Sequence, residues 1–134
     1  YRHGQGVAED DAEAVRWFRR AAEQGVAKAQ HNLGVMYRHG QGVAQDFAEA
    51  VRWYRHAAEQ GDAKAQHNLG VMYYEGKGVV QDYVTAYMWA NLAAAQNEDS
   101  RVMRDFLLTQ MTPSQITEGQ QRARACADAE FKGC

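Results

Sequence analysis

The chain has 134 residues, 46% hydrophobic and 24% charged, with a formal net charge of −2. That length can bury one continuous core. The near-neutral balance lacks the basic excess with which proteins meet nucleic acid, and no run approaches the roughly 18 apolar residues of a membrane span.

The most apolar stretch, 83–95, is short and interrupted by Thr85 and Asn91. Tyr1 opens directly into repeat sequence without a Met or a signal peptide, as expected of a mature or trimmed product. Residues 1–36 and 37–72 differ at five positions only: Glu9/Gln45, Asp11/Phe47, Phe18/Tyr54, Arg20/His56 and Val26/Asp62. Residues 73–108 keep the same phase while drifting, so that Tyr1, Tyr37 and Tyr73 correspond, as do Gly4, Gly40 and Gly76, Val7, Val43 and Val79, and Trp17, Trp53 and Trp89. A period near 36 residues predicts stacked supersecondary units. One domain over 1–134 is expected, in units 1–36, 37–72 and 73–108 with a capping region over 98–134.

In chain order, the first predicted helix runs from Asp10 to Glu23. Asp10 is its expected N-cap, with Glu13 as the reciprocal partner. Its stripe of Ala14, Trp17, Phe18 and Ala21 has no preceding helix to pack on, so half of it is expected to stay uncovered. That end reads as a fragment of a longer array, able to pair with a second copy. The next helix places Ala29, Leu33, Gly34 and Tyr37 on one face. Gly40-x-Gly42 stops it, because glycine takes positive φ cheaply. Val43 is expected to plug the core beneath that turn. Asp46, with Glu49, is the expected cap of a helix whose inner face is Ala50, Trp53, Tyr54, Ala57 and Ala58. Gly61 ends it and Asp62 caps its successor. Small Gly34 and Gly70 predict close helix approach. The aromatics at 17, 53, 89, 37 and 73 are expected in the core.

The second helix of unit three breaks the pattern on its outward side. Glu49, Arg52, Arg55, His56 and Glu59 become Thr85, Met88, Asn91, Leu92 and Ala95. A face so stripped of charge needs a cover, and the tail is the expected one. It offers a helix over 101–111 through Val102, Phe106, Leu107 and Leu108. Thr112-Pro113-x-Gln115 then starts a last helix reaching Cys126 or beyond.

The strings Ala29-x-x-x-Leu33-Gly34-x-x-Tyr37-x-x-Gly40-x-Gly42-Val43-x-x-Asp46 and Ala50-x-x-Trp53-Tyr54-x-x-Ala57-Ala58-x-x-Gly61 resemble the Sel-1-like repeat, a relative of the tetratricopeptide repeat. The resemblance covers residues 1 to about 97, and the closing string around Met111-Thr112-Pro113 resembles bacterial members. It implies an all-α, right-handed α-solenoid of antiparallel helix pairs, closed here by C-terminal capping helices. It also implies a concave face that holds a protein or peptide. On that face the resemblance places Lys28, His31, Asn32, Val35 and Arg38 from one unit, and Lys64, His67, Asn68, Val71 and Tyr74 from the next. In unit three, Met103, Arg104 and Leu107 take the matching places.

Cys126 and Cys134 stand eight residues apart, about 12 Å along a continuous helix, and a disulfide needs Cα atoms within about 7 Å. Gly133 allows the chain to bend back, so a bonded pair and two free thiols are both open. A bond would imply an oxidising compartment, the periplasm or outside the cell. No catalytic set, cofactor loop or metal-ligand spacing is found. His3/His39 and His31/His67 are repeat copies, and neighbouring units stand about 10 Å apart, too far to share a metal unaided. The expected function is a protein-binding adaptor or scaffold, not an enzyme. A segment that assembles through its ends is the second reading, and an enzyme acting on cell-wall material the third.

Overall fold

A computed structural model describes residues 5–134, with side chains from residue 10 onward. Tyr1, His3 and Gly4, and the side chain of Val7, lie outside the described residues. Within them the chain is all helical: α1 (Gln5–Glu23), α2 (Ala27–His39), α3 (Phe47–Ala58), α4 (Ala63–Glu75), α5 (Tyr83–Ala93), α6 (Glu98–Gln110) and α7 (Pro113–Asp128). The pairs α2–α3 and α4–α5 pack as antiparallel hairpins, with α1 against α2 and α3 against α4, which is the stacking of a solenoid.

Each hairpin is built by the same local rules. Gly40 and Gly76 take left-handed φ of 70° at the ends of α2 and α4, and their amides return to Met36 and Met72. The following Gly42 and Gly78 sit where a Cβ would meet the Asp11 carbonyl oxygen at 2.4 Å and the Phe47 carbonyl oxygen at 2.5 Å, so no side chain fits. Asp46, Asp62 and Asp82 cap α3, α4 and α5 through the amides three residues on. The expected reciprocal half of the Asp46 box is absent, because Glu49 is drawn to Arg52 instead. Asp10 is not the first cap of α1, which already runs through it from Gln5, and Glu13 binds Arg16 and Trp17.

Leu33, Leu69, Trp53, Trp89, Ala57 and Ala58 are buried as expected. Trp17 is not: it is 59% exposed against 5% for Trp53 and 0% for Trp89. Tyr37 and Tyr73 are half-buried, and their hydroxyls accept hydrogen bonds from Arg19 and Arg55 of the helix before. One signature ties each turn down. The Gln30 amide donates to the Ala22 carbonyl and the Gln66 amide to the Ala58 carbonyl, each spanning eight residues.

At α6 that signature recurs with a change. Arg101 donates to the Ala94 carbonyl across seven residues, and Asn97 caps α6 where the earlier turn has Gly61 and Asp62. The turn is one residue short, so α6 starts at Glu98 and every residue on it shifts by one against the earlier units. Ser100 then occupies the place of buried Ala65, and Leu107 that of buried Met72; both are 0% exposed. Val102 and Phe106, expected to pack inward, are 67% and 45% exposed. Arg104 and Asp105 fall where Leu69 and Gly70 interlock with the paired helix. Charged residues there cannot be buried without partners, and α6 and α7 form no such hairpin. Both lie on α5 and scarcely touch each other. Gly119 of α7 sits on the Tyr87 ring, and Ala123 and Cys126 join the cluster that buries Met88. The tail is thus the cover for the charge-stripped face of α5.

Candidate functional site

The residues expected on the concave face come from successive turns of α2 and α4. Lys28 and Lys64 stand in the first turns and are exposed. One helical turn further, His31, Asn32, His67 and Asn68 are half-buried. Val35, Arg38, Val71 and Tyr74 follow toward the C-terminal ends and are half-buried too. Lys28, His31, Asn32 and Lys64 converge on one open cleft of about 450 Å³. Its remaining walls are Gly61, Asp62 and Ala63 from the turn before α4, and Gln96 and Asn97 from the turn before α6. In the sequence Gly61 and Asp62 carry stop and cap signals and no binding pattern, and the shortened turn at Asn97 has no counterpart in the earlier units.

The other expected residues are engaged with the protein itself. The Asn68 amide nitrogen lies 2.9 Å from His31 Nε2 and donates to it, so that α4 is stitched to α2. His67 Nδ1 lies 2.7 Å from Ser100 Oγ and ties α4 to α6. Burial pushes both imidazoles below their ordinary pKa of 6.5, against the pull of Asp62 on His31 and of Asp99 on His67. Neutral His31 offers Nε2 as the acceptor that Asn68 needs. Arg38 donates to Glu75 at 3.1 Å and to the Met72 sulfur at 3.3 Å, so it crosses between the units. Tyr74 stacks on Tyr83 at 5.5 Å between ring centres and meets the edge of Phe106 at 5.9 Å.

The one-residue shift changes the third row of this face. Asp99, Val102, Met103 and Phe106 take the places of Lys64, His67, Asn68 and Val71, in place of the expected set of Met103, Arg104 and Leu107. Leu107 is buried and Arg104 lies beside α5 and α7. The face therefore runs from cationic side chains at the starts of α2 and α4 to an apolar, aromatic ledge of Tyr74, Val102 and Phe106.

Cys126 and Cys134 are joined, with Cα atoms 5.6 Å apart. Glu130 and Phe131 take positive φ of 55° and 69° to turn the chain back. Phe131 rests against Gly61, and the Lys132 ammonium donates to the Glu59 carbonyl at 3.1 Å. The closed tail thus props the turn that walls the cleft. Among the described residues no three His, Cys, Asp or Glu side chains gather as a metal would require, and no helix is long and apolar enough to cross a membrane.

A family model for the Sel1 repeat matches residues 1–26, 27–62 and 63–98. The last two matches coincide with the hairpins α2–α3 and α4–α5 and their closing turns. No curated protein matches the chain. Among solved structures it resembles c5321, a protective antigen of uropathogenic Escherichia coli strains with an SLR fold, at 36% identity and a TM-score of 0.85. That match covers 90% of this chain and 27% of the antigen, so the chain spans about a quarter of the antigen's length. It also resembles a Sel1 repeat protein from Oxalobacter formigenes, at 43% identity and a TM-score of 0.66, over 68% of this chain and 69% of that one.

Proposed function

The chain belongs to the Sel1 repeat family, and on that premise we propose that it is an adaptor holding an extended segment of another protein on the face formed by α2, α4 and α6. Repeats of this family are in general protein-interaction modules and non-catalytic scaffolds. The finer reading rests on one observation: Lys28, His31, Asn32 and Lys64 come from two units and open on one cleft. Two ammonium groups meet carboxylates, and the Asn32 amide serves a peptide backbone. Val35, Arg38, His67, Asn68, Val71 and Tyr74 complete the face, with Asn68 and Arg38 holding its shape rather than the partner. The expected partner segment is acidic where it passes Lys28 and Lys64. The closed Cys126–Cys134 loop fits an oxidising compartment, the periplasm or outside the cell.

The test is affinity capture with wild-type protein beside K28E/K64E and beside K77E, a charge reversal just past the far end of α4 that does not line the cleft. Both variants alter exposed lysines, so helicity by circular dichroism should not change. A protein retained by wild type and K77E and lost by K28E/K64E supports the reading. Equal retention by all three removes it.

A second reading has its own observation. Trp17 is exposed on α1, with the Arg20 guanidinium 5.2 Å above its ring. Under this reading the α1 face assembles the chain with another copy. A concentration-independent monomeric mass by light scattering would dismiss it.

A further inference from the structure

α6 and α7 rest on α5 without closing on each other, and between them lies a crevice of about 670 Å³, within the range that holds small ligands. It is separate from the cleft of α2 and α4 and shares no residue with it. Its origin is the register shift described above. Where the earlier units put Leu33 and Leu69 into a paired helix, this one puts Arg104, and where they put Gly34 and Gly70 it puts Asp105. The Arg104 Nε donates to its neighbour Asp105 at 3.1 Å, which leaves both terminal nitrogens of that guanidinium open. Arg124 lines the opposite wall and has no partner among the described residues. Tyr87 lies on the floor, only 3% exposed, and its hydroxyl makes no hydrogen bond among the described residues. Asn91 and Gln120 add two side-chain amides, and Leu108 and Ala123 an apolar lining.

We propose that this crevice binds the C-terminal residues of a peptide, with the terminal carboxylate between Arg104 and Arg124 and an apolar last side chain against Leu108 and Ala123. The argument is one of complementarity. Two guanidiniums on opposite walls, Arg124 without a partner among the described residues and Arg104 with its terminal nitrogens open, call for an anion, and a planar carboxylate matches their fork. The apolar lining asks that the anion carry an apolar body. The volume exceeds what one amino acid fills. The amides of Asn91 and Gln120 offer donors and acceptors suited to the preceding peptide units. Asp105 sits at the rim and competes for Arg104, so it weakens binding of any anion.

The experiment is an NMR titration of backbone amides and arginine Nε–H groups with three probes: N-acetyl-Ala-Ala-Leu, the same tripeptide as its C-terminal amide, and N-acetyl-leucine. The expected result is saturable shifts at Tyr87, Asn91 and Arg124 with the free-acid tripeptide, at a Kd on the order of 1 mM or tighter. The amide should bind about tenfold more weakly or worse, since it loses charge-assisted hydrogen bonds. R124Q should lose a similar factor, and D105N should bind severalfold more tightly. Both positions are exposed, so neither change threatens the fold. Equal binding of acid and amide, shifts that map elsewhere, or no saturable shift would overturn the proposal. N-acetyl-leucine binding as tightly as the tripeptide would overturn it too, by assigning the crevice to a small free acid.

Discussion

At the scale of single residues, identical letters in near-identical repeats carry different costs. A Cβ on Gly34 would meet the Tyr54 ring at 2.7 Å and the Ala50 carbonyl at 3.3 Å. Tyr54 is 1% exposed, so its ring has nowhere to move. On Gly70 the nearest atom is the Ala86 carbonyl oxygen at 3.2 Å, because Ala90 stands where the earlier unit has Tyr54. Replacing a mid-helix glycine by alanine gains up to about 1 kcal/mol of helix propensity, and overpacking costs about 1–3 kcal/mol. Gly34→Ala should therefore destabilise the protein by about 1–2 kcal/mol in urea unfolding, and Gly70→Ala by distinctly less. The histidines make a second case. Burial depresses the folded-state pKa of His31 and His67 below 6.5. Near and below that pH the unfolded chain takes up protons that the folded chain refuses, so stability is complete above it and falls as the solution is acidified. Stability should drop between about pH 7.5 and about pH 5.5, a window in which ordinary carboxylates stay ionised. H31Q/H67Q should flatten that slope, and an unchanged slope would place the sensitivity elsewhere.

At the scale of helices and turns, the closed tail is the element whose contribution is least local. Phe131 and Lys132 reach back to Gly61 and Glu59 from a chain end that the Cys126–Cys134 bond closes into a loop. Opening a loop of that size restores unfolded-state entropy of about 2–3 kcal/mol on the chain-entropy view. Reduction should lower the melting temperature and raise hydrogen exchange at Gly61 and Asp62, whereas protection unchanged at that turn would show that the tail does not support it. Sequence reading succeeded for the hairpins because each of their signals is local: glycine at a positive-φ stop, aspartate at a cap, small residues at a crossing. It failed where one missing residue altered everything downstream. An ungapped comparison of residues 73–108 with the earlier units pairs Arg104 with Asn68, and only the shared bond of Gln66 and Arg101 to the preceding turn reveals the true pairing with Leu69. The candidate cleft was half legible for the same reason. Its lysines and histidine lie on helix faces that repeat, while Asp62 replaces Val26 in an otherwise repeated turn and Gln96 and Asn97 lie in a turn one residue short. Asp10 failed as a cap through a different cause: α1 continues upstream of it, so the local signal is overridden.

At the scale of the whole molecule, a solenoid distributes its stability by neighbour contact, so a residue's value depends on how many layers flank it. The three repeat tryptophans measure this directly. Trp53, on α3, packs against both α1 and α2, in one cluster with Val15, Ala22, Ala29 and Leu33. Trp89 sits among Leu69, Met72 and Met88, with the tail's Ala123 and Cys126 behind them. Trp17 has packed helices on one side only among the described residues, and its indole N–H turns along the surface to Glu13. Truncating a buried tryptophan costs about 3–5 kcal/mol through lost transfer and cavity formation. Trp53→Ala and Trp89→Ala should each cost about that much, enough to unfold a marginal domain. Trp17→Ala should cost under about 1 kcal/mol, since little of its surface leaves water on folding. Acrylamide quenching of single-tryptophan variants gives an independent order, with Trp17 quenched readily and Trp89 least. If Trp17 instead proves as costly and as shielded as Trp53 in the dissolved protein, and the mass in solution exceeds that of one chain, a second molecule supplies the missing cover.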